Sequence, residues 1–375
     1  MIALFFILVL LHSLIHLLGF VKGFGLMEVK ALSSSISKLL GSIWFLAAAL
    51  LLSYGIAFLS ESKQAWIIGT FAVIISQALI FYFWKDAKFG TLPNIAILVA
   101  ILISYSSLKF TTQVEKERKE ILKKSLSDKP PVFSESEIEL LPFPVKKWLH
   151  SCGAIGQPKA SNGKIMQVAQ MKMKPEQENW YQAEAIQYTV IDEPSFIWKV
   201  KLKMNPFIWI QGRDKFQDGE GEMLIKMNSL VNLVDESGAK IDEGTLQRFL
   251  GEMVWFPSLA VSPYVTWEEQ DELSAKATMN YKGTIGSGIF YFNEEGDFVK
   301  YIAFRYDGNK PDSKRKPWIL TVDDYRIFEG IKVPSKMNAT WELEQGEWNW
   351  LKLEIKNLEY NQPFNSKNDI ITPKS

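Results

Sequence analysis

The sequence has few of the residues on which disulfide-bonded domains and many enzymes depend. Its 375 residues include one cysteine, three histidines, and 42 basic residues balanced by 42 acidic ones. A single cysteine excludes an intrachain disulfide framework. A neutral chain without a basic patch argues against a nucleic-acid partner. Neither a His-Glu-x-x-His zinc motif nor a phosphate-binding glycine loop occurs, so the sequence predicts no metal and no cofactor.

Charge is also scarce in the first 110 residues, where four long apolar stretches follow one another. These stretches span residues 2–21, 39–59, 65–84 and 93–108. A helix needs about 20 apolar residues to cross the hydrocarbon core of a bilayer. We therefore expect residues 1–110 to form four transmembrane helices, with membrane lipid as the first partner of the protein.

The lysines of the short loops indicate how these helices are oriented. The first and third loops contain Lys22, Lys30, Lys38, Lys85 and Lys88, whereas the second contains Lys63 alone. The positive-inside rule then places loops one and three in the cytoplasm. Six basic residues within 109–124 oppose this orientation. The balance predicts a bacterial inner (cytoplasmic) membrane protein whose C-terminal domain is extracytoplasmic.

His12 and His16 are the one chemical feature of the first stretch. Residues spaced by four share a face of a helix, and polar groups inside a bilayer usually face protein or a cavity. One hypothesis is ligation of a metal, haem or quinone. The other is a pair of neutral imidazoles hydrogen-bonded between helices. The apolar stretches offer no third histidine and no carboxylate, so packing is favoured and the two residues remain weak metal candidates.

The rest of the chain divides into three segments by its periodicity and charge. Residues 111–141 form a charged, amphipathic linker, residues 142–361 alternate with the period of β-strands, and residues 362–375 form a flexible tail. About eleven strands separated by turn residues, one of them over 222–234, surround few helices, one of which lies at 246–254. This pattern predicts a mainly-β domain with an antiparallel, strongly curved sheet, in the manner of a half-barrel.

Several motifs of this domain resemble an uncharacterised bacterial domain family that is often fused to membrane segments. They are TLQRFLGEMVWFP at 245–257, SPYVTWE at 262–268, the hairpin from Phe292 to Arg305, and YRIFEGIKVP at 325–334 followed by Trp341. The resemblance covers roughly 142–361. It implies a fold similar to the LolA and LolB lipoprotein carriers, in which a half-open barrel holds acyl chains under a helical lid. The family has no established activity, so the resemblance implies no catalytic residues.

Aromatic residues are the strongest functional signal in this domain. A concave sheet has an inner face that is either filled by side chains or holds an apolar ligand. The helix exit at 255–257 is well placed to line or cover that face. The candidate ligand-binding residues are Trp209, Trp255, Phe256, Pro257, Trp267 and Arg305. We expect a non-catalytic, membrane-anchored module that binds a lipid or another apolar ligand.

Two other functions stay open. A hydrolase could use paired carboxylates from the acidic clusters at 268–272 and 323–324, although both clusters also fit solvent-facing strand ends. His150 and Cys152 could form a nucleophile pair, or be a helix-end histidine beside a structural thiol. Alternatively, an exposed aromatic patch could bind an unidentified protein partner in an assembly.

Overall fold

The computed structural model describes residues 2–125 and 130–362. It divides into two compact units, Met1–Thr112 and Gln113–Ser375, called here the helical unit and the β unit. Residues 126–129 of the predicted linker and 363–375 of the predicted tail lie outside the described residues.

The helical unit is built from the apolar stretches of the sequence. Its helices are α1 (Ile2–Gly23), α2 (Lys38–Leu59), α3 (Ala65–Tyr82), the short α4 (Trp84–Ala87) and the first two-thirds of α5 (Thr91–Leu122). Ser37 caps α2 by accepting a hydrogen bond from the backbone N–H of Leu40. Pro93 lies in the first turn of α5, where its missing N–H costs nothing. Within the described residues, four helical segments are long and apolar enough to cross a membrane.

Small residues allow α1 and α2 to pack closely. A β-carbon placed on Gly23 would lie 2.9 Å from the α-carbon of Gly41, so neither position has room for a side chain. Farther along the same pair of helices, Val9 and Leu51 are fully buried. Close backbone approach at glycine is the usual way in which apolar helices associate without a hydrophobic driving force.

The β unit consists of one antiparallel sheet with helices at its start and in its middle. Helix α6 (Phe143–Ser151) precedes the sheet, and α7 (Ala239–Gly251) lies between strands six and seven. The strands are β1 (Asn162–Met171), β2 (Tyr181–Val190), β3 (Ser195–Lys203), β4 (Trp209–Gln217), β5 (Glu220–Met227), β6 (Val231–Ser237), β7 (Val265–Asp271), β8 (Ser274–Tyr281), β9 (Thr284–Phe292), β10 (Phe298–Tyr306), β11 (Arg315–Phe328), β12 (Ile331–Leu343) and β13 (Gly346–Tyr360). Short 3-10 turns occupy Glu135–Ile138, Glu252–Trp255 and Pro257–Val261.

The order of the strands shows how the sheet curves around α7. The thirteen described strands are arranged β6-β5-β4-β3-β2-β1-β13-β12-β11-β10-β9-β8-β7. The chain thus runs outward from β1 to one edge, crosses through α7, and returns from the other edge to pair β13 with β1. Helix α7 packs against β4, β5 and β6 from one half and against β8, β9 and β10 from the other. The predicted antiparallel, curved, half-barrel sheet with few helices is confirmed.

One predicted strand is wrong. The alternating segment 222–234 is two strands, β5 and β6, joined by a tight turn at Asn228 and Ser229. Both residues have positive φ angles, 49° and 61°, as the turns that fit the twist of a hairpin require. The turn lacks glycine and proline, so the alternation of apolar and polar residues gives no sign that a strand ends there.

Candidate ligand-binding site

A cavity of about 250 Å³ lies on the inner face of the sheet, beside α7. Residues of β1, β3, β4, β5, β10, β11, β12 and β13 line it, and α7 contributes Arg248 and Gly251. Six tryptophans dominate the lining: Trp198, Trp255, Trp318, Trp341, Trp348 and Trp350. Protein interiors rarely leave voids larger than a water molecule, so a space of this size within a packed sheet identifies a candidate binding site.

Strand register brings four of these tryptophans together. Trp318 on β11 lies opposite Trp341 on β12, which lies opposite Trp348 on β13. A register shift between Ala339 and Thr340 leaves Trp350 without a partner on β12. Such a bulge breaks the strict alternation of a strand, so that Leu351 lines the cavity together with Trp348 and Trp350.

A buried ionic network lies at the cavity, and three of its members, Asp214, Arg248 and Glu252, are among the lining residues. Arg248 donates to Asp214 Oδ2 at 2.8 Å, to Glu252 Oε1 at 2.7 Å and to Gln187 Oε1 at 3.0 Å. Gln187 in turn donates to Glu252 Oε2. The guanidinium carbon of Arg248 lies 4.9 Å from the ring centroid of Trp198, within cation–π range. The network joins α7 to the first half of the sheet.

Burial and charge act against each other in this network. Burial raises the pKa of Asp214 even though the charges of Arg248, Arg213 and Arg305 act to lower it. Burial would lower the pKa of Arg248, but Glu252 and Asp214 raise it overall. Arg248 is therefore a fixed cation whose hydrogen bonds are committed to protein partners.

Arg305 is different, because its charge lacks a direct partner. Its guanidinium carbon lies 4.3 Å from the ring centroid of Trp318 and 5.8 Å from that of Trp341. Its buried Nε has no hydrogen-bond partner within residues 2–125 and 130–362, and no carboxylate of those residues forms an ion pair with it. Burial, together with the positive charge of Arg248, lowers the pKa of Arg305 to about 10. A cation without a partner on the cavity wall is suited to an anionic group.

Two of the predicted ligand-binding residues line the cavity. They are Trp255, which is nearly fully buried and donates from Nε1 to the carbonyl of Pro334 at 3.1 Å, and Arg305. Trp255 is held at the end of the 3-10 turn that follows α7, as the helix-exit motif suggests. Whether either residue contacts a ligand stays a prediction.

The other four predicted residues are placed elsewhere. Phe256 and Pro257 belong to the packed interior next to Trp255, and the ring of Phe256 lies 5.8 Å from that of Tyr360. Trp267 donates from Nε1 to Ala260 O at 2.9 Å. Trp209 lies at the start of β4, 6.0 Å from Lys201 Nζ. None of the four is among the lining residues of the cavity.

Sequence reasoning missed the polar residues of the site. Asp214, Gln187 and Glu252 come together only through the strand order and the position of α7. One signal was available, since Arg248 and Glu252 are four residues apart on α7, where such pairs meet. Their position beside the apolar face of that helix distinguishes them from a pair on a solvated face.

The residues of the alternative functions lie at the surface or apart from one another. Glu268 is exposed and pairs with Lys276 at 3.5 Å, and Asp324 pairs with Lys336 at 3.1 Å. Cys152 is buried in the core, whereas His150 is exposed and lies 3.1 Å from Glu135.

The two membrane-segment histidines lie on α1, with ring centroids 4.6 Å apart. Among the residues that the structure describes, no three His, Cys, Asp or Glu side chains are close enough together to hold a metal ion.

The model of a protein family of unknown function matches residues 131–353, more than half of the chain. The chain belongs to the DUF6544 family. The family resemblance predicted from the motifs around Trp255 is thereby confirmed. Every residue that lines the cavity falls within the DUF6544 match.

No curated protein matches the DUF6544 chain. Among solved structures, a LolA superfamily protein from Nitrosomonas europaea matches with 9% sequence identity and a TM-score of 0.32, and the match covers 59% of this chain and 97% of that one.

Proposed function

We propose that the β unit of this DUF6544 protein binds an amphiphilic molecule in the cavity beside α7, without transforming it. The observation that carries the proposal is the space of about 250 Å³ walled by six tryptophans. Small-molecule sites are mostly apolar clefts in which a few polar groups fix the orientation of the ligand. The tryptophans supply the apolar wall, and Arg305 supplies the polar group.

Arg305 determines the chemical class of the ligand's polar end. Planar guanidinium groups bind carboxylates and phosphates through paired hydrogen bonds. Asp214 and Glu252 pair with Arg248, and neither forms an ion pair with Arg305 within the described residues. An acidic headgroup would give the buried Nε of Arg305 the acceptor that it lacks, while the apolar part of the ligand packs on Trp318 and Trp341.

A membrane is the natural source of such a molecule. Four helical segments long and apolar enough to span one support an anchor in the bacterial inner membrane. The lysines of the first and third loops support an extracytoplasmic β unit. Fusions of alkaline phosphatase and of GFP after Ser375 test the orientation. Phosphatase activity without fluorescence is expected, and fluorescence without phosphatase activity would contradict this orientation.

Binding can be tested on the full chain in detergent with 11-bromoundecanoate as the probe. A bromine atom quenches the fluorescence of tryptophan on contact, so occupation of the cavity should quench part of the emission in a saturable way. The methyl ester of the probe keeps the chain and removes the charge. Absence of saturable quenching by either compound would overturn the proposed function.

Arg305→Gln tests the polar end separately. We expect this variant to bind the carboxylate at least about tenfold more weakly, since hydrogen bonds to charged groups are worth about 1.5–3 kcal/mol, and to bind the ester as the wild type does. Arg326→Gln is the matched control, because Arg326 is an exposed arginine paired with Glu354. Equal affinity of wild type and Arg305→Gln for the carboxylate would show that Arg305 does not bind the ligand. The apolar cavity would still be the binding site.

A further inference from the structure

A second cavity lies wholly within the helical unit. It has a volume of about 340 Å³ and is lined by residues of α1, the loop between α1 and α2, α2, α3, α4 and the segment up to Pro93. Most of its wall is apolar, including Ile15, Leu18, Leu32, Ile80 and Phe89. Four polar or aromatic groups interrupt that wall: His12, His16, Trp44 and Asp86. Two of them, His12 and Asp86, already have hydrogen-bond partners in the protein.

His12 and Asp86 are satisfied by the protein. His12 Nε2 lies 3.0 Å from Asn94 Oδ1 and 3.3 Å from Ser76 Oγ, and Asn94 also donates to Ser76 Oγ at 2.9 Å. Asp86 accepts hydrogen bonds from the backbone N–H and the hydroxyl of Ser33 at 2.7 and 2.8 Å. Neither residue needs a ligand to complete its hydrogen bonds.

His16 is buried but incompletely bonded. Its Nδ1 lies 3.0 Å from the carbonyl oxygen of His12. A carbonyl oxygen only accepts, so Nδ1 carries the proton and donates it. In a neutral imidazole the other nitrogen, Nε2, is then an acceptor. Nε2 has no hydrogen-bond partner in the part of the chain that the structure describes, although His16 is 1% exposed.

Among the described residues, the indole N–H of Trp44 lacks an acceptor, just as His16 Nε2 lacks a donor. This Nε1–H is buried. The indole is held against Gly19, where a β-carbon would lie 2.1 Å from the ring. Its ring centroid is 5.1 Å from that of His16. An orphaned acceptor and an orphaned donor therefore line the same apolar cavity, and each costs about 1–3 kcal/mol if left unpaired.

We propose that this cavity binds an apolar molecule bearing a hydroxyl group. The hydroxyl is the smallest organic group that both donates and accepts, so its O–H donates to His16 Nε2 while its oxygen accepts from the Nε1–H of Trp44. The ring centroids of His16 and Trp44 are 5.1 Å apart, so a single hydroxyl group can lie close to both rings. The apolar wall receives the remainder of the molecule.

A pair of fluorinated probes tests the proposal on the full chain in lipid nanodiscs. 4-(Trifluoromethyl)phenol offers the required donor and acceptor, whereas 4-(trifluoromethyl)anisole has the same ring and no donor. ¹⁹F NMR separates a bound probe from one dissolved in lipid. We expect a saturable bound signal for the phenol and an affinity about tenfold lower for the anisole, the size of one lost hydrogen bond to a buried group.

Two conservative variants test whether the bound probe lies at His16 and Trp44. His16→Phe removes the acceptor and Trp44→Phe removes the donor, while each keeps an aromatic ring in place. Both should weaken binding of the phenol about tenfold, and Trp84→Phe, at an exposed tryptophan of the same unit, should not change it. Equal binding of phenol and anisole, or phenol binding unchanged in both variants, would overturn the proposal. So would the lack of a saturable signal, which is the result expected if the cavity holds water alone.

Discussion

Arg248 on α7 donates to Asp214 on β4 at 2.8 Å, across the inner face of the sheet. This contact, with those to Glu252 and Gln187, ties the one helix that crosses between the two edges to the first half of the sheet. The same helix packs against β9 and β10 of the second half. The network therefore helps hold both halves of the sheet around the cavity. We expect its loss to lower the stability of the β unit before it weakens ligand binding.

We expect Arg248→Met to lower the free energy of unfolding of the β unit by about 3–5 kcal/mol, because it leaves two mostly buried carboxylates without their cation. Arg248, Asp214 and Glu252 are each less than 20% exposed. Urea unfolding of the full chain, followed by tryptophan fluorescence, measures the change.

Arg326→Met is the control for that measurement. Its pair with Glu354 has a similar length, 3.0 Å, but Arg326 is 45% exposed. Exposed ion pairs contribute about 0–1 kcal/mol. If both variants lowered the free energy of unfolding equally, the buried network would contribute no more to stability than an exposed ion pair does.

The sequence predicts which segments form helices and strands better than it predicts how these elements pack together. Apolar stretches of helix-spanning length predict α1, α2 and α3, because composition alone decides whether a helix can lie in hydrocarbon. Alternation and turn residues predict most strands of the β unit. The turn at Asn228–Ser229 was missed because it contains neither glycine nor proline, although both residues adopt positive φ.

The candidate site depends on contacts that a linear pattern does not contain. Trp318, Trp341 and Trp348 are 23 and 7 residues apart, and they meet because β11, β12 and β13 pair in one register. The motif at 245–257 contains Trp255, which lines the cavity. It does not reveal that Arg248, in the same motif, finds its partner on β4.

Gly288 offers a test of packing. A β-carbon there would lie 2.4 Å from ring atoms of Tyr301, which is fully buried and whose hydroxyl donates to Gln247 O at 3.0 Å. We expect Gly288→Ala to destabilise the β unit by about 1–3 kcal/mol through overpacking, seen as a lower urea midpoint. Gly308→Ala, whose β-carbon would meet only the end of Ser313 at 3.3 Å, should change the midpoint little. An unchanged midpoint in Gly288→Ala would contradict the packing of Tyr301.

Asp218 should make stability depend on pH in the acid range. Hydrogen bonds from Lys124 and Lys282 lower the pKa of Asp218 to about 2, against about 3.9 in an unfolded chain. Because the folded pKa is the lower one, the contribution is present above pH 4 and is lost as the pH falls toward 2. Asp218→Asn keeps a residue that tolerates the positive φ of this turn. It should be less stable than wild type at pH 7, and most of this difference should be gone by pH 2. A difference independent of pH would contradict the assignment.

Cys152 should be inert in the folded protein. Burial raises the pKa of its thiol to about 12, and the thiol donates to Leu149 O at 3.4 Å. Only the thiolate is strongly nucleophilic, and His150 lies at the surface beside Glu135. We expect iodoacetamide at pH 8 to leave the native chain unmodified over the time in which it fully alkylates the chain in urea. Since the sequence has one cysteine, intact mass reports this site alone. Alkylation of the native protein as fast as of the unfolded one would revive a nucleophilic role for Cys152.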